Sequence, residues 1–207
     1  MKLIRFLDVV LITFVVYLPL LIGKYKKNEE SLFWAASISS LLGIISLFLM
    51  KDIHNLHPYF QKIELLPLLV SFVIGFGAYS LYRINRDFKR KSFYSPLTWL
   101  VFLPFVDTVI LRKFGIDSLS WMQEVHQLLV WYVSLRVFIL AILAGFVYFL
   151  IFFRNRLFVA SWEGSIAFTS SLVAGYIFVH YGFTNALLAE VAFNFWRVAL
   201  AKKEGEI

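Results

Sequence analysis

Apolar residues in this chain come in long, nearly unbroken runs separated by short polar connectors. Leu3–Gly23, Ser31–Met50 and Leu65–Tyr82 each approach the length of about 20 residues that a helix needs to cross hydrocarbon. A shorter run, Leu97–Leu111, holds Pro104 and Asp107. Val125–Phe153 is overlong and carries Arg136 in its first half. Leu157–Gly182 and Phe183–Ala201 follow with almost nothing between them, and Gly182 is the expected breaker. The polar connectors are 24–30, 51–64, 83–96, 112–124 and 154–156. The pattern predicts an all-α fold, a polytopic transmembrane helix bundle of about seven helices (six to eight), with 1–207 as a single integral membrane domain. The fourth run is too short for a full span, so it is expected to be tilted, re-entrant or extended by its flanks.

Composition strengthens the membrane reading. Hydrophobic residues make up 60% of the chain and charged residues 16%. A soluble domain has roughly a quarter of its residues charged, so lipid must solvate part of this surface. The 23 Phe suit hydrocarbon, while the 6 Trp and 10 Tyr suit the headgroup level. The net charge of +7 comes from Lys and Arg placed mostly in connectors, where they set topology and touch anionic headgroups. Membrane lipids and another membrane protein are therefore the expected partners, and nucleic acid is not. If all seven runs span, one side carries six Lys and Arg and the other thirteen. That places the C-terminus in the cytoplasm and the N-terminus outside, in a plasma (inner) membrane. The first run has no small-x-small cleavage pattern and reads as a retained helix. The chain has no cysteine, which removes disulfides, thiolate metal sites and cysteine nucleophiles.

Ionisable residues inside apolar runs each cost about 2.5–3.5 kcal/mol at the bilayer centre and so face a bundle interior or a wet cavity. Here they are Asp107, Arg136, Glu163, His180 and Glu190, with Asn194 as a polar neighbour. Glu190 and Asn194 share a helix face, and Arg197 continues the stripe. The stripe either lines a site or pins helices through a pair of Glu190 with Arg136 or Arg197. Pairing is favoured, because intramembrane charges commonly pair. Asp107 and Arg112 are separated by about 140° on an α-helix and need not touch. Asp107 is then either a cavity residue or a salt-bridge partner. Glu163, next to Trp162, reads as interfacial. His54 and His57 lie in a connector beside Asp52 without a third ligand, and His126 stands near a span start, so no metal and no cofactor is expected. Small pairs Ser40/Gly43, Gly75/Ala78 and Ser171/Gly175 favour close helix packing.

Two segments resemble a known family. The stretch Pro104 to Arg112 is similar to the Glu-Glu-x-x-x-Arg motif of the CPBP (Abi, CAAX-protease-like) intramembrane proteases. Tyr181 to Asn194 is similar to that family's last motif, His-x-x-x-Asn, with its preceding Gly and small apolar lead-in. The resemblance covers 97–201. Asp107 and Thr108 stand in place of the two glutamates, and Arg112 is kept. For the middle Phe-x-x-x-His motif, Phe146 matches the Phe and Leu150 replaces the His. Glu190 replaces the last His, and Asn194 is kept. In the family the glutamate and histidines activate the attacking water. Without the histidines, a base would have to come from Asp107 and Glu190.

The resemblance therefore implies a pseudoprotease: a non-catalytic CPBP-like membrane protein acting as a binding partner or scaffold. The candidate polar site is Asp107, Arg112, Arg136, Glu190 and Asn194. The alternatives are a divergent intramembrane peptidase using Asp107 and Glu190, and a small membrane transport subunit. The last is disfavoured by the absence of repeat symmetry in the sequence.

Overall fold

A computed structural model of the chain describes residues 2–25, 29–49, 60–85, 89–90, 94–122, 134–153, 157–200 and 202–203. The fold is all-α. Its helices are α1 (Lys2–Tyr25), α2 (Glu29–Leu49), α3 (Leu65–Asn85), α4 (94–118), α5 (Leu135–Phe152) and α6 (Leu157–Ala199). The β pairing among the described residues is a two-residue parallel match of Lys89 with Lys202 and Arg90 with Lys203. Four helices are long and apolar enough to cross a membrane: 5–23 in α1, 30–48 in α2, and α5 and α6. The apolar part of α3, Leu65–Leu81, is shorter.

Among the described residues the helix count is six, where the run pattern predicts about seven. The last two runs form one helical element with a break at Gly182, whose φ of 81° and ψ of −173° lie outside helical geometry. The overlong run 125–153 becomes a helix from Leu135, and 125–133 lies outside the described residues. The short fourth run is extended by its flanks to 94–118.

α4 is the hub. Every residue from Val106 to Asp117 is buried, so this helix is wrapped on all sides by others. Its backbone widens into π-helical turns at Thr98–Phe102 and Thr108–Ile116. The second of these is buried along its whole length, so protein covers its irregular backbone, while Val101 in the first is half exposed. α6 runs along α5 and α3 and also contacts α4, while α1 packs on α2. In lipid, helix association relies on close packing more than on hydrophobic expulsion. Gly145 of α5 and Gly164 of α6 meet backbone to backbone. A Cβ on Gly145 would lie 3.0 Å from the Gly164 carbonyl oxygen, and one on Gly164 would lie 2.8 Å from that of Gly145.

The break in α6 is locked by the chain that leads into α3. The Glu64 N–H donates to Asn185 Oδ1 at 2.8 Å. Asn185 Nδ2 donates to the carbonyls of Lys62 and Tyr181, each at 2.8 Å. The Gln61 N–H reaches Thr184 Oγ1 at 3.3 Å, and the Gln61 side chain occupies the space a Cβ on Gly182 would need. Asn185 is fully buried, and its bonds answer the Tyr181 carbonyl at the break and backbone groups of the segment that leads into α3.

Two substitutions with a control test this packing. Gly182→Ala is expected to destabilise the fold by about 1–3 kcal/mol, since its backbone region is close to glycine-only. Gly164→Ala is expected to lower the unfolding temperature in detergent because the Gly145 backbone cannot yield. Gly77→Ala, with nothing within 4 Å of the new Cβ, should be neutral or slightly stabilising.

Candidate functional site: a buried polar network around α4

The candidate residues of α4 and α6 meet at the centre of the bundle. The π-helical turn explains how. With i to i+5 hydrogen bonding the turn is wider, and the offset of about 140° that an α-helix puts between residues five apart is reduced. Arg112 Nη1 accordingly donates to the Asp107 carbonyl at 3.2 Å. Arg112 Nη2 forms an ion pair with Glu190 Oε1 across the α4–α6 interface. Both side chains are at most 2% exposed. Asn194 lies one turn further on α6, and its Nδ2 donates to the Glu190 carbonyl at 3.0 Å and to Glu190 Oε2 at 3.5 Å. Tyr79 of α3 donates to Asn194 Oδ1 at 2.7 Å.

Asp107 takes neither of the roles expected of it. Its carboxylate accepts from the Tyr17 hydroxyl of α1 on Oδ1 and from the Tyr148 hydroxyl of α5 on Oδ2, the latter at 3.0 Å. The two phenol rings stand edge to face, 6.3 Å apart. Asp107 is thus held by two neutral donors from two other helices. Each is a partner that the wealth of aromatics in the sequence conceals.

The expected pairing of Glu190 with Arg136 or Arg197 is corrected by the Arg112–Glu190 pair. Arg197 instead makes a bidentate pair with Glu163, at 2.7 and 2.6 Å. Its guanidinium also lies 3.3 Å above the Trp99 ring, so charge and cation–π attraction act on it together. Glu163, expected at an interface, is 2% exposed inside the bundle. A third buried pair, Lys113 Nζ with Asp117 Oδ2 at 2.8 Å, sits one turn beyond Arg112 on α4. No sequence pattern singled it out, although its i,i+4 spacing was visible. Arg136 stands apart from the network. Its Nη1 donates to the Ile116 carbonyl at 3.1 Å, near the end of α4.

Two buried polar atoms within the network lack a protein partner, Thr108 Oγ1 and Arg112 Nε. Of the motif positions around it, Phe146 is half exposed on α5 and Leu150 follows it on the same helix. His180 is exposed and rests on the Tyr176 ring, with 4.4 Å between centroids. Asp52, His54, His57 and His126 lie outside the described residues. Among the described residues no three His, Asp or Glu side chains converge as a metal site would require. A separate groove of about 490 Å³ opens between α3 and α6, lined by Leu66, Pro67, Val70, Ile74, Leu172 and Tyr176 among others. None of the five candidate residues lines it.

No protein family, curated protein or solved structure was found to match this chain.

Breaking one partner of a buried pair leaves an uncompensated charge and typically costs about 3–5 kcal/mol. Glu190→Leu is therefore expected to destabilise the protein by about that amount, and Arg112→Met/Glu190→Leu to recover most of it. Tyr148→Phe, which leaves one Asp107 oxygen without its donor, should cost about 1–3 kcal/mol. Denaturation midpoints of the purified variants in one detergent check both, and a double variant no more stable than Glu190→Leu would contradict the pairing.

Proposed function

We propose that this chain is a non-catalytic integral membrane protein of the CPBP-like type, whose buried polar network is structural and which acts as a binding partner or scaffold for another membrane protein. The reading rests chiefly on one observation: both candidate carboxylates are committed to protein partners in the bundle interior. Asp107 is 5% exposed and accepts two phenol hydroxyls, and Glu190 is fully buried against Arg112 and Asn194. A general base needs a lone pair directed at a water beside the scissile carbonyl. Here each of the four carboxylate oxygens already accepts a donor, from α1, α4, α5 or α6. The resemblance itself is supported by the contact of its two segments, since Arg112 of 104–112 and Glu190 of 181–194 form the central pair. Four helices of spanning length and apolarity support placement in a membrane.

A second reading, a divergent peptidase using Asp107 and Glu190, is favoured by Thr108 Oγ1 and Arg112 Nε. These unanswered polar atoms beside Asp107 and Glu190 are groups that an internal water could join.

Incubating the detergent-purified chain with prenylated and transmembrane peptides separates the two. The scaffold reading expects no cleavage by the wild type, and a stoichiometric membrane partner retained when the tagged chain is purified gently from its native membrane. Cleavage by the wild type that disappears in folded Asp107→Asn and Glu190→Gln variants would replace it with the peptidase.

A further inference from the structure

Four cations are buried among the described residues: Arg112, Lys113, Arg136 and Arg197. Three of them face a carboxylate, Glu190, Asp117 and Glu163 respectively. Arg136, 1% exposed, has no carboxylate among the described residues within ion-pair distance. The acidic side chain whose field reaches it is Asp117, which is already bonded to Lys113. Among the described residues, the Asp117 carboxylate thus acts on both Lys113 and Arg136.

The free donors of Arg136 have a specific geometry. Nη1 is used on the Ile116 carbonyl, while Nε and Nη2 are buried without a partner. In a planar guanidinium these two N–H groups lie side by side and form the fork that binds two oxygens of one carboxylate or phosphate. The residue two positions before it repeats the pattern. Ser134 caps the N-terminus of α5 with an extended backbone, yet its hydroxyl caps nothing and is buried without a partner. The first N–H groups of an 18-residue helix also have no intrahelical acceptor, and the helix dipole adds partial positive charge there.

We propose that the first turn of α5, with Arg136 and Ser134, is a binding site for a phosphate group. The Arg136 fork takes two phosphate oxygens, and Ser134 Oγ and the helix N-terminus take the remainder. The phosphate neutralises a buried cation that has no carboxylate within ion-pair distance among the described residues. Its place along the bundle fits a lipid source as well as a soluble one. α5 is about 27 Å long, close to the hydrocarbon thickness of about 30 Å, so its first turn stands at the level of the headgroups.

Thermal unfolding of the delipidated full chain in neutral detergent tests the site. The two probes are inorganic phosphate and dihexanoyl phosphatidylglycerol, each against chloride at equal ionic strength. At about 10 mM probe the wild type should unfold about 2–4 °C higher. Arg136→Gln should abolish the rise. If that variant does not fold, Arg136→Lys, which keeps the charge but loses the fork, and Ser134→Ala should each reduce it. A rise with both probes identifies phosphate itself as sufficient, and a rise with the lipid alone assigns the site to a headgroup. No rise with either probe, or an equal rise in the Arg136 and Ser134 variants, overturns the proposal.

Discussion

A guanidinium cannot shed its charge, and Arg112 carries one into the most enclosed helix of this protein. Much of the architecture follows from answering it. Glu190 must reach α4 from α6, which fixes the rotation of the second half of α6 about its own axis. That half can turn independently of the first only because Gly182 interrupts the helix. Beside the interruption, Asn185 bonds the Tyr181 carbonyl and the backbone of the 60–64 segment on its way into α3. On the other side, the π-helical turn of α4 directs Arg112 over the Asp107 carbonyl. Asp107 in turn draws hydroxyls from α1 and α5. One buried charge is thus linked by contact to four other helices, counting Tyr79 of α3 behind Asn194 but excluding α2.

Why the elements were readable while the partners were not has a physical cause. A helix that meets lipid must be apolar along its length, and that demand is written in consecutive residues, so α1, α2, α5 and α6 coincide with runs. Of the small residues at helix contacts, Gly75, which backs onto the Phe193 carbonyl, and Gly175, which backs onto Val137, were legible, while Gly145 and Gly164 were not. Partner choice is a different kind of information. Glu190 and Arg112 are 78 positions apart, and Tyr17 and Asp107 are 90. Periodicity tells which face of a helix a residue occupies, never which helix it faces. The tyrosines were hidden by abundance, since in a chain with 10 Tyr a phenol that binds a carboxylate resembles one that anchors at a headgroup. Asp107 and Arg112 meet through the Asp107 backbone carbonyl and not through a side-chain pair, a contact that side-chain spacing alone does not predict.

The same network explains how apolar helices acquire a single arrangement. Lipid tails are as apolar as leucine, so burying a helix face against another helix gains little from the hydrophobic effect. Apolar surfaces such as those of α1 and α2 could slide or rotate with modest loss. A buried ion pair cannot. If α6 turned by one residue, about 100°, Glu190 and Arg112 would each be left in a medium where an uncompensated charge costs several kcal/mol. The pair need not raise net stability against a well-packed apolar alternative in order to exclude every other rotation. Carboxylates used in this way are poor candidates for chemistry. A general base must gain a proton during turnover, and a proton on Glu190 would remove the charge that holds α4 and α6 in register. On this argument the depth at which Glu190 and Arg112 pair follows from the need to fix one rotation of α6 against α4.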